Sequence, residues 1–174
     1  MKKYIAFAFL VVTLSCTNAQ KDHETSAGEA DVKTGTEVEL TDAVDQDIYD
    51  GYISLKNALV ASGFEGAKTA AQSLKAGLEK REGCESTALL ADQISKAPDL
   101  AAQRKQFTAL STDLIALFKH ASLSKGEIYV QHCPMANSGE GGDWLASEKN
   151  IRNPYYGDEM MECGSVVEEI KAKK

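Results

Sequence analysis

The sequence predicts a mainly α-helical protein: an antiparallel four-helix bundle followed by a small, irregular, partly β C-terminal segment that contains cysteine and methionine. Three observations lead to this prediction. Between residues 41 and 121, apolar residues recur at spacings of three and four, the period of an amphipathic helix. Glycine or proline follows each periodic stretch, so the connections are short and neighbouring helices run antiparallel. After Gly126 this period is lost, and a β-prone run leads into a region rich in sulfur-containing residues.

Residues 1–19 have the form of a signal peptide, because a short basic start precedes an apolar run too short to span a bilayer. Two processing routes are open. The residues that end in Cys16 resemble a bacterial lipobox, which predicts a lipid on Cys16, and we favour this route. The alternative is ordinary cleavage after Ala19. Either route exports the chain as a periplasmic or outer-membrane-associated protein, so its thiols meet oxidising conditions.

Residues 17–40 are polar and charged, and we expect a disordered tether there. The whole chain carries a net charge of −7. An acidic chain of this kind is poorly suited to nucleic acid and to anionic membrane surfaces. Contact with a membrane is therefore expected through a lipid anchor alone.

Residues 41–168 are predicted to form a single helical domain. Thr41 or Asp42 can cap the first helix, and Gly63 can end it in the left-handed conformation. A second helix follows and closes at Gly83. The apolar faces of these two helices comprise Val44, Ile48, Tyr52, Leu55 and Leu59 in the first, and Phe64, Ala67, Ala71, Leu74 and Leu78 in the second.

A third, shorter helix is predicted from Ser86 to Ala97. Pro98-Asp99 ends it and begins the fourth helix, because proline suits a first helical turn. The apolar positions of these two helices are Leu89, Leu90 and Ile94 in the third, and Leu100, Phe107, Leu110, Leu114, Leu117 and Ala121 in the fourth. Cys84 and His120, near helix ends, are not assigned a role.

The candidate site lies in residues 127–168, where a short β-prone run leads to His132-Cys133-Pro134-Met135. Thiolate and thioether are soft ligands that favour Cu(I) and Ag(I), whereas imidazole adds the less favoured option of Zn(II). A second soft cluster follows about 25 residues later. If the two segments meet, they form one soft-metal site. Its candidate ligands are Cys133, Met135, Met160, Cys163 and His132.

The same two cysteines also fit a disulfide. A Cys133–Cys163 bond would close a loop of about 30 residues and contribute roughly 3–4 kcal/mol in the chain-entropy treatment. Spacing alone does not separate this alternative from metal binding. A third hypothesis makes Cys133 the nucleophile of an enzyme, which requires a general base within reach. His132 is adjacent in sequence, but in an extended segment its side chain would point to the opposite side. We therefore expect no enzymatic activity.

Several strings of residues in the second half of the chain form a specific pattern. They are Tyr129-x-x-x-Cys133-Pro134-Met135-Ala136, Trp144-Leu145, Ile151-Arg152-Asn153-Pro154-Tyr155-Tyr156-Gly157-Asp158-x-Met160 and Cys163-Gly164. Over about residues 46–168 the chain resembles an uncharacterised bacterial domain family. That family comprises exported stand-alone proteins and is also found at the C-terminus of Cus-type membrane-fusion subunits of copper/silver efflux systems.

The resemblance implies metal handling by association, with metal-efflux membrane-fusion or transporter components as partners. The Cys-Pro-Met core is also similar to the Tyr-x-Cys-Pro-Met-His motif of small heavy-metal-binding modules, although Ala136 stands in place of the histidine. We therefore expect an exported, lipid-anchored accessory protein that binds Cu(I) or Ag(I) in the cell envelope. The alternative is a helical interaction module stabilised by a Cys133–Cys163 disulfide, without metal.

Overall fold

The computed structural model describes residues 37–172, which lie in one compact unit, Lys33–Lys174. The predicted signal peptide, Cys16 and most of the predicted tether lie outside the described residues. About 54% of the structure is helical, so the prediction of a mainly α-helical protein is confirmed. Among residues 37–172, no helix combines the length and the apolar character needed to cross a membrane.

The described residues contain four long helices, close to the predicted positions. They are α1 (Ala43–Val60), α2 (Phe64–Leu78), α3 (Glu85–Lys96) and α4 (Leu100–His120). Each packs against the next one along the chain. Asp42 caps α1 as predicted, because its carboxylate accepts the N–H groups of Val44 and Asp45 at 2.8 and 3.0 Å. Asp99 caps α4 in the same way, accepting the N–H of Ala102 at 2.7 Å.

Two details of the helical prediction are wrong. The left-handed residue after α1 is Ser62, with φ 53°, and not Gly63. Gly63 is instead the N-cap residue of α2, and its carbonyl accepts the N–H of Ala67 at 2.9 Å. Leu89, expected on the apolar face of α3, is 62% exposed.

Short strands form two small antiparallel sheets. The strands are β1 (Glu39–Leu40), β2 (Leu123–Lys125), β3 (Glu127–Cys133), β4 (Gly142–Ala146) and β5 (Ser165–Lys171). β1 pairs with β2, and β3 lies between β4 and β5. The predicted strand after Gly126 is confirmed and extends to Cys133. The predicted tether ends earlier than residue 40, because Val38 and Leu40 are buried against the core.

Tyr52 joins the helices to the larger sheet. Its hydroxyl shares a hydrogen bond of 2.8 Å with Ser111 of α4 and accepts the N–H of Leu145 of β4 at 3.1 Å. Its ring stacks on Phe107 of α4, with the ring centroids 5.4 Å apart. All of these contacts are buried, so α1, α4 and β4 are held together at one point.

A buried ion pair makes a second connection between α1 and the segment after β4. Lys56 is fully buried, and its Nζ lies 2.6 Å from Oε1 of Glu148. Burial alone would raise the pKa of Glu148. The charge and hydrogen bond of Lys56, a hydrogen bond from Ser147 and the charge of Arg152 together bring that pKa below its ordinary value.

We predict that Tyr52→Phe lowers the free energy of unfolding by about 1–3 kcal/mol, because Ser111 and the N–H of Leu145 lose a buried partner. Tyr49→Phe is the matched control. Tyr49 is also a buried tyrosine of α1, but its hydroxyl has no hydrogen-bond partner within the described residues. Its removal is expected to leave stability unchanged or slightly higher. Urea unfolding measures both, and equal losses would contradict the role given to Tyr52.

We predict that Lys56→Met lowers the free energy of unfolding by about 3–5 kcal/mol, because the Glu148 carboxylate stays buried without its partner. The Lys56→Met, Glu148→Gln double variant should lose less than the single variant.

A pH dependence is also expected. Because the folded pKa of Glu148 lies below the unfolded one, the contribution of its carboxylate to stability is complete above the unfolded pKa and is lost as pH falls through the folded pKa. Urea unfolding of the unaltered protein between pH 3 and pH 7 measures this pH dependence. A double variant as unstable as Lys56→Met at pH 7 would contradict the role given to the buried ion pair.

Candidate functional site

The sheet brings the two cysteines of the C-terminal region together. Cys133 is the last residue of β3 and is fully buried, whereas Cys163 precedes β5 and is half-buried. Because His132 pairs with Ser165 across β3 and β5, the chain on either side of that pair runs close together. The Cys133 and Cys163 side chains lie within hydrogen-bonding reach of each other, and both are free thiols.

The environment of Cys163 favours its protonated form. The hydrogen bond with Cys133 raises the pKa of the Cys163 thiol most, and burial and the neighbouring Cys133 sulfur raise it further. The backbone N–H of Met135 acts in the opposite direction, because it can donate to a thiolate. The Cys163 thiol is therefore held protonated until a reaction partner replaces its proton.

The three methionines are placed differently. Met135 follows Cys133 by two residues and its side chain is 52% exposed. Met160 and Met161 are half-buried in the loop before Cys163. Their carbonyl groups organise that loop: Met160 accepts the N–H of Cys163 at 3.1 Å, and Met161 accepts that of Asn153 at 2.9 Å.

His132 is not brought to the thiols. In a strand, consecutive side chains point to opposite faces, so His132 and Cys133 face different ways. The imidazole Nδ1 lies 2.7 Å from Oδ1 of Asp143, its cross-strand neighbour on β4. Within residues 37–172, no group of three or more His, Cys, Asp or Glu side chains is close enough to hold a metal ion.

The other candidate residues lie elsewhere. Cys84 is buried at the start of α3, where burial raises the pKa of its thiol despite nearby Arg81. His120 is exposed at the end of α4. Cys16 lies outside the described residues.

The rigid turn that contains Asn153, Tyr155 and Tyr156 supports the thiol pair. The Tyr156 hydroxyl donates to the carbonyl of Met135 at 2.5 Å, and the Tyr155 hydroxyl donates to the carbonyl of Asp143 at 2.9 Å. Asn153 donates from Nδ2 to the carbonyl of Cys163 at 2.9 Å. These roles were not predicted from the sequence; the available signal was that this turn lies between the two cysteines.

The donor set fits some metal ions better than others. Structural Zn(II) takes four nitrogen, sulfur or oxygen ligands, and the described residues provide only two cysteines at this point. Cu(I) and Ag(I) accept few, soft ligands, so two thiolates with a neighbouring thioether are sufficient. The residues present therefore fit a soft monovalent ion, with Cys133 and Cys163 as the groups that would hold it.

Comparison with known proteins gives one result for the helical part of the chain. Residues 48–126 match the model of a family described as protein of unknown function (DUF3347). The match extends from within α1 through β2 and stops before the cysteine pair. No curated protein matches the chain, and no solved structure does. The predicted resemblance to an uncharacterised domain family is thus confirmed for residues 48–126. Its extension through the cysteine-containing strings to residue 168, and the link to Cus-type efflux subunits, stay predictions.

We predict that Cys133→Ala increases the rate at which iodoacetamide alkylates Cys163 at pH 8 several-fold. Removal of Cys133 lowers the pKa of Cys163 towards its ordinary value, so a larger fraction is thiolate. Peptide mass spectrometry of the reduced protein measures the rate. Cys84 in the same sample is the internal control, and its rate should not change. An unaltered Cys163 rate would show that the two thiols do not interact.

Proposed function

We propose that the protein is an exported, lipid-anchored accessory protein that binds one Cu(I) or Ag(I) ion through Cys133 and Cys163 in the cell envelope. Its partners would be membrane-fusion or transporter components of a metal-efflux system. The observation that carries the proposal is that β3–β5 pairing brings two free cysteines, 30 residues apart in the chain, close enough for Cys133 to act as a hydrogen-bond partner of the Cys163 thiol. In this proposal the four helices form an antiparallel bundle that supports the site.

The protonation state of the pair is compatible with this role. Binding a soft ion replaces both thiol protons, so affinity rises with pH until both thiols would be ionised in the free protein. Because the pKa of Cys163 is raised, the affinity is expected to go on rising to a higher pH than it would for an ordinary thiol. The backbone N–H of Met135 favours the ionised form of Cys163 and would therefore stabilise the Cys163 thiolate after its proton is lost. A thiol with a raised pKa is a poor nucleophile at neutral pH, which supports a role in binding rather than in catalysis.

The position of Met135 supports exchange of the ion with a partner. Cys133 is fully buried, so an ion reaches the pair from the side of the half-buried Cys163. Met135 presents an exposed side chain two residues from Cys133 and thus offers a thioether near that entrance.

The second candidate function is a helical interaction module in which Cys133 and Cys163 form a disulfide. The same contact favours it, because two thiols within hydrogen-bonding reach need little backbone movement to join. A bond here would tie the end of β3 to the segment before β5. In an oxidising compartment such a bond persists.

We predict that the reduced protein, without its signal, binds one equivalent of Cu(I) when titrated anaerobically against a competing Cu(I) chelator. The Cys133→Ser, Cys163→Ser double variant should lose this binding, because both thiolates are removed. Cys84→Ser is the matched control. It removes a buried cysteine away from the pair and should bind as the unaltered protein does.

Two outcomes would contradict metal binding by Cys133 and Cys163. One is the absence of Cu(I) binding by the fully reduced protein. The other is binding that survives in the double variant and disappears with Cys84→Ser. If the reduced protein fails to bind and protein isolated from the envelope carries a Cys133–Cys163 disulfide, the interaction module is the better description.

A further inference from the structure

The contact between Cys133 and Cys163 depends on how two backbone segments are held. Gly164, which follows Cys163, has φ 142°, and a Cβ there would lie 2.7 Å from the carbonyl oxygen of His132. Only glycine allows the backbone before β5 to approach the end of β3 so closely. This approach brings the cysteines into the same region, but it does not orient the turn after Cys133 or the loop before Cys163.

Asn153 organises the loop that carries Cys163. Its side chain is fully buried, and Nδ2 donates to the carbonyl of Cys163 at 2.9 Å while Oδ1 accepts the N–H of Tyr155 at 2.8 Å. Its backbone N–H donates to the carbonyl of Met161, and its own carbonyl accepts the N–H of Gly157, both at 2.9 Å. Asn153 thus binds the loop before β5 at Met161 and at Cys163, and it binds its own turn at Tyr155 and Gly157.

Tyr156 holds the other segment. Its hydroxyl donates to the carbonyl of Met135 at 2.5 Å. Met135 is also the residue whose backbone N–H favours the thiolate form of Cys163, which places this segment beside the Cys163 sulfur. The turn after Cys133 is therefore bound on one side by Tyr156 and on the other by Cys163.

We propose that Asn153 and Tyr156 are positioning residues that hold the sulfur atoms of Cys133 and Cys163 at reacting distance. They act through backbone groups and touch neither thiol through their own side chains in this role. Because they belong to one turn, residues 153–157, they couple the two cysteine segments to each other. The consequence for metal affinity rests on the proposed function, whereas the consequence for thiol pairing does not.

The test measures how readily the two thiols pair. Protein purified from the envelope with its natural N-terminus is equilibrated anaerobically in mixtures of reduced and oxidised glutathione. Formation of the disulfide removes one hydrogen from each thiol and reduces one oxidised glutathione to two molecules of reduced glutathione. Acid quenching, alkylation and mass spectrometry give the fraction of Cys133–Cys163 disulfide, and thus its equilibrium constant.

We predict that Tyr156→Phe lowers this constant about three- to tenfold, the effect of losing one hydrogen bond that orients a reacting group. Tyr129→Phe is the matched control. It removes a hydroxyl at the far end of β3, where it donates to Glu127 at 2.7 Å, and should leave the constant unchanged. Asn153→Asp removes the donor to the carbonyl of Cys163 and should lower the disulfide equilibrium constant further. It is also expected to lower the free energy of unfolding, because Asn153 is fully buried.

Urea unfolding of the reduced variants separates positioning from general stability. Positioning predicts that Tyr156→Phe and Tyr129→Phe have similar stabilities and different disulfide constants. A Tyr156→Phe constant within about twofold of the unaltered protein, or equal to that of Tyr129→Phe, would overturn the inference whatever the metal titration gives. A lowered constant in a protein that binds no Cu(I) would leave the positioning role standing and remove the proposed metal function.

Discussion

Tyr52 carries the hydroxyl group on which the arrangement of helices and sheet depends. It lies where α1, α4 and β4 meet, and water has no access to it. Polar groups in such a place are costly unless they are paired, and the hydroxyl pairs with both Ser111 and the backbone of Leu145. The bond to Ser111 joins α1 to α4, and the bond to Leu145 joins α1 to β4. A sheet placed differently on the helices would break the bond to Leu145, so this one group favours the observed placement.

Aromatic rings extend this fixed point towards the candidate site. Tyr52 stacks on Phe107, Phe107 meets Tyr155 edge-on at 5.8 Å, and Tyr155 meets Trp144 edge-on at 6.0 Å. Tyr155 belongs to the turn that holds the segments of Cys133 and Cys163. The thiol pair is thus built on a packed support rather than on a free loop, despite the many glycines around it. A site that must select an ion or a bond geometry benefits from such preorganisation, because little ordering is left for the reaction itself.

The helices were predictable because their signals are local: apolar spacing, Asp42 as a cap, and glycine or proline between the helices. β1 and β4 were not, since a two-residue strand and a glycine-rich run have no periodic pattern until a partner strand aligns them. For the site, the sequence was enough to identify the cysteines as candidate soft ligands. Whether the two cysteines meet depends on the β3–β5 register and on Asn153, which are not visible in the spacing. His132 was included among the ligands because it is adjacent in sequence, and strand alternation then placed it on the other face. Where the site's geometry depends on contacts between distant segments, spacing alone leaves metal and disulfide open.

The two chemistries considered for the cysteine pair make different demands on the same geometry. A disulfide requires the sulfur atoms to approach to bonding distance and needs no entrance once formed. A bound ion requires them to stay apart as thiolates and needs a route for exchange. The half-buried Cys163 and the exposed Met135 meet the second demand, whereas the Met135 N–H, which favours a Cys163 thiolate, is useful to both chemistries. The exposed thioether beside the pair is the feature that a purely structural bond does not need, and it is what supports the proposed ion binding over the disulfide alternative.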